Sequence, residues 1–411
     1  MNFRHLCLTS FFLLSVAFSS ADAQQWNNYR GPNGDGTVES DSALTGKLKV
    51  HWKVATDSGF SSFAIAGNKA VTLISEDGQE ACVALDTSDG SQIWSTKLGS
   101  NKYDRGGGAG ANGNKGGDGP RSTPTIDDGM VYVYDAHMNL SCMELESGKQ
   151  VWSHNIKDDF GGKNIRWQNS ISPVVDDARV FVCGGGEGQS MLAFDKKSGE
   201  VVWTTGSETM THATPILTSI DNQTQIIFFM KSGMFSLNPE DGKQLWQNEF
   251  QYRTSTAASP VVFGNNVYGS AGYGVGAKVF EIKNNKAELV WEKPNRLINH
   301  WSTPVFHDGH LYGMFSFKRY GGGPMQCVDP MTGEVKWSEK GFGPGNCIVV
   351  NDKVVALSDS GELVIAEASP DGYKELSRDK VLDGKCWSMP SFHEGKLYLR
   401  STTEGICVSF E

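Results

Sequence analysis

Ala84-Leu85-Asp86-Thr87-Ser88-Asp89-Gly90-Ser91-Gln92-Ile93-Trp94 decides how this chain is built. Ala84 to Asp86 close one strand. Asp89-Gly90 is a turn pair, because glycine adopts φ > 0 at little steric cost. Ile93-Trp94 opens the next strand with bulky β-formers. The unit returns at Met143-Glu144…Ser147-Gly148…Val151-Trp152, Phe194-Asp195…Ser198-Gly199…Val202-Trp203, Leu237-Asn238…Asp241-Gly242…Leu245-Trp246 and Val328-Asp329…Thr332-Gly333…Lys336-Trp337. In all five copies Trp follows the acidic or Asn position by eight residues, a regularity chance does not produce. A weaker copy ends at Val290-Trp291, with Asn284-Asn285-Lys286 in place of the glycine turn.

A second piece recurs between these units: Ser/Thr-Pro, an apolar pair, a polar turn and another apolar run. Thr123-Pro124-Thr125-Ile126-Asp127-Asp128-Gly129-Met130-Val131-Tyr132 is one copy, and Ser172-Pro173, Ser259-Pro260, Thr303-Pro304 and Met389-Pro390 begin others. Joined, the two pieces give four strands, A to D, per repeat. Successive D-strand Trp residues (Trp52, Trp94, Trp152, Trp203, Trp246, Trp291 and Trp337) are 42 to 58 residues apart. That period predicts an all-β fold, an eight-bladed β-propeller of four-stranded antiparallel blades. The seven Trp residues are structural, packing between blades; blade 7 carries Leu376 where the Trp is expected. The last unit has only three strands, near 390–392, 397–400 and 406–410. Residues 49–54, carrying Trp52, supply its missing D strand, so the chain ends meet and the ring closes without exposed sheet edges. Domain boundaries follow: 1–23 a signal peptide, 24–47 a leader segment, 48–411 the propeller.

Residues 6–18 are mostly apolar and precede Ala21-Asp22-Ala23, an A-x-A cleavage pattern. The run is too short to span a membrane. The expected mature protein is therefore periplasmic or secreted, cut near Ala23, with no transmembrane span. The formal net charge is −10, which argues against general nucleic-acid binding. Of eight Cys, seven follow the signal segment, with no C-x-x-C and no adjacent pair. They read as small buried hydrophobes, and no metal site has spacing support.

Loop lengths divide the two faces of the ring. A–B and C–D turns are short, with residues 219–224 as the expected exception. Long D–A and B–C loops crowd the other face, including 99–120 with its Gly106-Gly107-Gly108-Ala109-Gly110 core. Binding usually sits on loops carried by a rigid frame. Counting three residues back from each A-strand Pro gives Arg121, Ser170, His212, Ala257, Trp301 and Trp387, one register facing one environment. Arg166, Trp167, Arg253, His300 and Lys385 lie slightly further out. The candidate ring for a ligand or partner is Arg121, Arg166, Trp167, His212, Arg253, His300, Trp301, Lys385 and Trp387. Arg pairs carboxylates and Trp stacks, so the ring suits an anionic or planar ligand. The plainer reading is a polar channel wall of hydrogen-bonded side chains. No hydrolase motif, phosphate loop or zinc spacing accompanies it.

Ala84-x-Asp86-x-x-x-Gly90-x-x-x-Trp94 and Ala193-x-Asp195-x-x-x-Gly199-x-x-x-Trp203 resemble the tryptophan-docking repeat of quinoprotein-type propellers, the pyrroloquinoline quinone (PQQ)-like repeats. Trp26-Asn27-Asn28-Tyr29-Arg30-Gly31-Pro32 resembles the W-x-x-(F/Y)-R-G-P leader of a bacterial group of exported propellers similar to outer-membrane assembly factor B. One branch of that superfamily implies PQQ and calcium with a catalytic Asp, and many members an adjacent-Cys disulfide. This chain has no adjacent Cys pair, and no segment matches the calcium-binding or catalytic positions. The other branch implies a bare ring that binds partners through loops, though Cys7 is badly placed for lipid attachment. The leading expectation is a non-catalytic, cofactor-free binding scaffold of the cell envelope, acting as a monomer on a protein partner. The alternatives are a PQQ-dependent oxidoreductase and a propeller that binds carbohydrate or an anionic small molecule or polymer.

Overall fold

The computed structural model describes residues 25–103, 117–250, 254–315, 317–319 and 321–411. The signal segment, the Gly106–Gly110 run and Arg253 lie outside the described residues. Eight sheets are arranged as an eight-bladed propeller. Blade 1 shows the pattern: Ala64–Ala66, Lys69–Glu76, Gln79–Asp86 and Gln92–Ser100, paired antiparallel in chain order. The described residues hold one helix, Ile156–Asp159. None is long and apolar enough to cross a membrane.

Ring closure takes the expected form. Leu48–Ala55 pairs antiparallel with Glu404–Phe410, completing the sheet of Ser391–His393 and Lys396–Arg400. Blade 7 gains a fifth strand instead: Thr37–Val38 of the leader lies parallel to Asn346–Val350. The expected long A–B connection at 219–224 is a tight turn. Ile216–Ile220 and Gln223–Phe229 stay in register through Ser219↔Thr224, and Asp221 and Asn222 turn at φ 52° and 58°. A polar run looks like a loop, but Asp and Asn tolerate these left-handed angles and close a two-residue hairpin.

Each D strand carries a β-bulge beside the docking position. In blade 1, Leu85 pairs with Gln92 and Ala84 with Trp94, so Ile93 is the extra residue. Bulges re-aim a side chain by one position. Here the bulged Ile93, Val151 and Val202 face outward at 40–45% exposure, while the following Trp turns toward the next blade. The same register corrects the reading of blade 7. Ala366 pairs with Glu375 and Ile365 with Ser377, so Leu376 is the bulge and Ser377 occupies the Trp position.

The Trp indoles fasten the ring. Trp52, Trp94, Trp152, Trp203 and Trp291 donate Nε1–H to the carbonyls of Thr87, Leu145, Lys196, Pro239 and Pro330, each the residue after the acidic or Asn position of the following blade. Trp337 reaches Ser369 O at 2.7 Å. Trp246 departs from the pattern and donates to Gln225 Oε1, within its own blade, at 2.6 Å. Blade 5, its neighbour, has the Asn284-Asn285 hairpin where the others have the Asp/Gly turn. The apolar core lies between blade faces, and the seven described cysteines are free and buried in it. Burial pushes the Cys142 and Cys327 thiols up to about 11, consistent with a packing role.

Candidate functional site

The Ser/Thr-Pro motif builds the channel wall. Ser62 N–H donates to Thr123 Oγ1, Thr123 N–H to Ser172 Oγ, Ser172 N–H to Thr214 Oγ1 and Ser259 N–H to Thr303 Oγ1, at 2.9–3.1 Å. Met389 N–H reaches Ser62 Oγ across the chain closure at 2.9 Å. The hydroxyls thus stitch the first residues of neighbouring A strands into a belt. Two positions before each hydroxyl the chain enters the ring from the D–A loop, and those side chains surround one cavity of ≈ 300 Å³. Arg121, Ser170, His212, Ala257, Trp301 and Trp387 all line it, as their shared register predicts.

Of the outer candidates, Arg166, Trp167 and His300 also line the cavity. Lys385 does not; its Nζ lies 3.5 Å from the buried Asp359 Oδ2 and 6.0 Å from the Trp387 ring centre, behind the lining. Arg121 is held from both sides. Its Nη1 donates to Trp167 O at 2.9 Å and its guanidinium lies 5.0 Å from the Tyr103 ring. Tyr103 in turn donates its hydroxyl to Glu80, so a buried carboxylate stands behind the arginine. Burial pushes the His212 and His300 imidazoles down to about 3, with Arg121 near the first and Lys318 near the second adding to the effect. Both are neutral at ordinary pH, and His212 Nδ1 is 2.7 Å from Ser255 Oγ.

An aromatic wall faces these groups. Trp301 and Trp387 stack at 4.9 Å and 10°, and Phe60 stacks on Trp387 at 4.9 Å and 25°. Trp387 thereby has an aromatic partner on each side. Lys318 lies over Tyr273 and Phe317, 4.7 and 5.1 Å from their ring centres. The lining holds three cations, Arg121, Arg166 and Lys318, and no described Asp or Glu. A protein of net charge −10 has cleared its carboxylates from this one place.

The leader forms the floor. Trp26 is buried, and its carbonyl accepts from Ile65 N–H at 2.7 Å, while Asn27 O accepts from Ile126 N–H at 2.7 Å. Arg30 sits at φ 71° and spends its guanidinium on carbonyls of Gly34, Asp35, Thr303 and Pro304. The leader therefore bridges blades 1, 2, 6 and 7 across the channel. Tyr29 lines the cavity above it and a second one of ≈ 470 Å³ on the A–B side, so the leader divides the channel and leaves the upper cavity blind.

Five of the lining residues escaped the sequence reading. Phe60 holds the register position in blade 1, but Phe63 replaces the marker Pro there. Tyr273 and Lys318 come from B–C loops, whose length is legible in the sequence but whose contacts are not. Tyr29 belongs to the leader motif, which has no repeat register to place it. Asn346 takes the belt position that Ser or Thr holds elsewhere.

Eight blades joined by a Trp-docking repeat around a plugged channel define a quinoprotein-type propeller. The chain belongs to the family of the outer membrane protein assembly factor BamB, whose pattern matches residues 34–155 and 105–339. It is 21% identical over 309 residues to the outer membrane protein assembly factor BamB of Yersinia pestis, covering 69% of this chain and 74% of that one. The quinohemoprotein alcohol dehydrogenase ADHIIG of Pseudomonas putida HK5 superposes with a TM-score of 0.68 at 11% identity, over 94% of this chain and 80% of that one. The enzyme from Comamonas testosteroni gives 0.67 at 13% identity, with the same coverage. At these identities the likeness is one of fold.

Proposed function

We propose that this protein is an exported, non-catalytic binding propeller of the cell envelope, which holds an anionic group of a partner or ligand in the blind cavity of its D–A/B–C face. The observation that carries the reading is the lining itself: three cations, an aromatic wall and no described carboxylate. Glu80 stands behind Arg121, but Arg166 and Lys318 make no ion pair among the described residues and leave a positive field at the cleft, which draws and holds anions. The family's assembly-factor name supports a partner-binding role in the envelope. An apolar run with an A-x-A pattern at the N-terminus supports export.

The oxidoreductase alternative asks the same cavity to hold PQQ with calcium. Calcium takes six to eight oxygen ligands, carboxylates foremost. The lining offers no described carboxylate, and no three described His, Cys, Asp or Glu side chains converge elsewhere. Trp387, already stacked on both sides, offers no free face to a planar quinone. The residues do not suit that pair.

Arg166 and Lys318 are exposed and make no ion pair among the described residues, so they can be removed without unpicking the fold. With Arg166→Ala plus Lys318→Ala, cross-linked capture of envelope partners should fall at least tenfold with an unchanged Tm. Equal capture by variant and wild type overturns the reading. A quinone absorption band after addition of PQQ and calcium overturns it in favour of the enzyme.

A further inference from the structure

The cavity's polar groups ask for more than negative charge. Asn346 is 3% exposed and lines the cavity. Its Nδ2 donates to Trp387 O at 2.6 Å, which fixes the amide's orientation. Its Oδ1 is then an acceptor, buried and without a hydrogen-bond partner among the described residues. A carboxylate or phosphate ester cannot satisfy it; a hydroxyl can. The neutral His300 imidazole adds one acceptor nitrogen, while His212 spends its Nδ1 on Ser255, and the Ser/Thr belt adds hydroxyls that can accept as well as donate. The wall is therefore mixed: cationic donors at Arg121, Arg166 and Lys318, and neutral acceptors at Asn346 and around the belt.

The apolar part narrows the ligand further. A bare inorganic anion would leave the aromatic wall wet. What fits is a compact molecule with C–H surfaces, several hydroxyls and an anionic group. The floor at Tyr29 adds a topological limit, because a polymer cannot thread a blind cavity. At ≈ 300 Å³ the space is at the small end of ligand pockets.

We infer that the cavity takes an acidic sugar residue, a uronate or sulfated unit, presented as the end of an anionic polysaccharide or as the free acidic sugar. The inference rests on the binding role proposed above and assigns its ligand class. Arg166 and Lys318 meet the acidic group at the mouth, the aromatic wall covers the C–H faces, and Asn346 Oδ1 accepts from a ring hydroxyl.

The test uses the mature chain, with calorimetry and tryptophan fluorescence as independent readouts. The probes are galacturonate, tetragalacturonate, a sulfated disaccharide, neutral galactotetraose and a hexaglutamate peptide. Binding of a uronate or sulfated probe, with a fluorescence change, is expected. Galacturonate and tetragalacturonate should agree within about threefold, because one unit is captured; neutral galactotetraose should bind at least tenfold more weakly. Arg166→Ala plus Lys318→Ala should weaken binding at least tenfold, and Asn346→Ser should weaken the sugar but not hexaglutamate. Affinity that climbs steeply with chain length would place the contact on the outer surface and overturn the inference. Hexaglutamate binding as tightly as the sugars would overturn the sugar class while leaving the anion-binding role standing. Failure of every sugar, with partner capture still lost in the Arg166/Lys318 double variant, would do the same.

Discussion

The six-membered ring of Trp94 lies directly over Gly148 of the next blade. A Cβ on Gly148 would come within 2.6 Å of Trp94 Cε3, and the indole donates to Leu145 O beside it at 2.9 Å. Gly90, Gly199 and Gly242 meet Trp52, Trp152 and Trp203 in the same way. The repeat's Gly and its Trp are thus two halves of one contact between adjacent blades. Gly148 also sits at φ 68°, so two costs fall together when a side chain is added.

Gly129 separates those costs. Its φ is 73°, and nothing lies within 4 Å of where its Cβ would be. Gly129→Ala should lose only the left-handed backbone strain, about 1 kcal/mol, whereas Gly148→Ala should lose that plus displacement of the indole, about 2–4 kcal/mol in all. Chemical denaturation of the two variants measures the difference. Equal losses would mean that the glycine serves the turn and not the seam between blades.

Trp246 leads to a second expectation. Gln225 Oε1 accepts from both Trp246 Nε1 and Ser236 Oγ, at 2.6 and 2.7 Å, and the amide is almost fully buried. Gln225→Leu would strand two buried donors, a loss of about 2–4 kcal/mol. Trp246→Phe, which removes one donor and leaves the acceptor paired to Ser236, should cost less. Thermal melting of both variants ranks them; the reverse order would show that packing of the indole, not the amide, holds this position.

Much of this organisation is written in short-range pattern. The eight-residue interval from Asp86 to Trp94 reports a turn of fixed length, and Trp52 at the wrong end of the chain reports closure. Ser-Pro and Thr-Pro mark the A strands, so the register that gathers Arg121, His212, Trp301 and Trp387 could be counted. What could not be counted depends on contacts between distant residues. Lys385 is drawn off by Asp359, 26 positions earlier in the chain. Ser377 replaces Leu376 at the docking position because a bulge shifts the strand by one, which spacing alone does not reveal. Tyr29 becomes a cavity floor only once the leader has folded across the channel. Arg253 lies outside the described residues, and its place in the ring stays an expectation.

Arg30 is the pin that holds this floor. Arg30 is 2% exposed, and its guanidinium meets four carbonyls, with no carboxylate in the set. A planar fork of fixed donors suits that cage, and a lysine ammonium would satisfy fewer of them. Arg30→Lys should cost about 2–3 kcal/mol and loosen the leader before the ring. Limited proteolysis should then cut the variant between residues 25 and 47 while the blades stay intact. Simultaneous digestion of leader and blades would show that the leader and ring unfold as one unit.

Glu80 makes the stability of the ring depend on pH. Burial, with the Asp135 carboxyl nearby, pushes it up to about 7 from an ordinary 4.5, against the hydrogen bonds from Tyr103 and Ala136 and the Arg121 charge. The folded chain therefore holds this proton more tightly than the unfolded one. Its contribution to stability is fully present below pH 4.5 and is lost as pH rises to about 7, a change on the order of 3 kcal/mol. Asp135, also raised by burial, adds in the same direction. Glu80→Gln keeps the shape and cannot titrate, and Tyr103 can turn its hydroxyl to accept from the new amide. Wild-type Tm should fall between pH 5 and pH 7.5 at constant ionic strength, and the Gln variant should fall less, becoming the more stable protein above pH 7. Parallel Tm curves for the two proteins would place the titrating group elsewhere and leave Glu80 ionised in the fold, paired with Arg121.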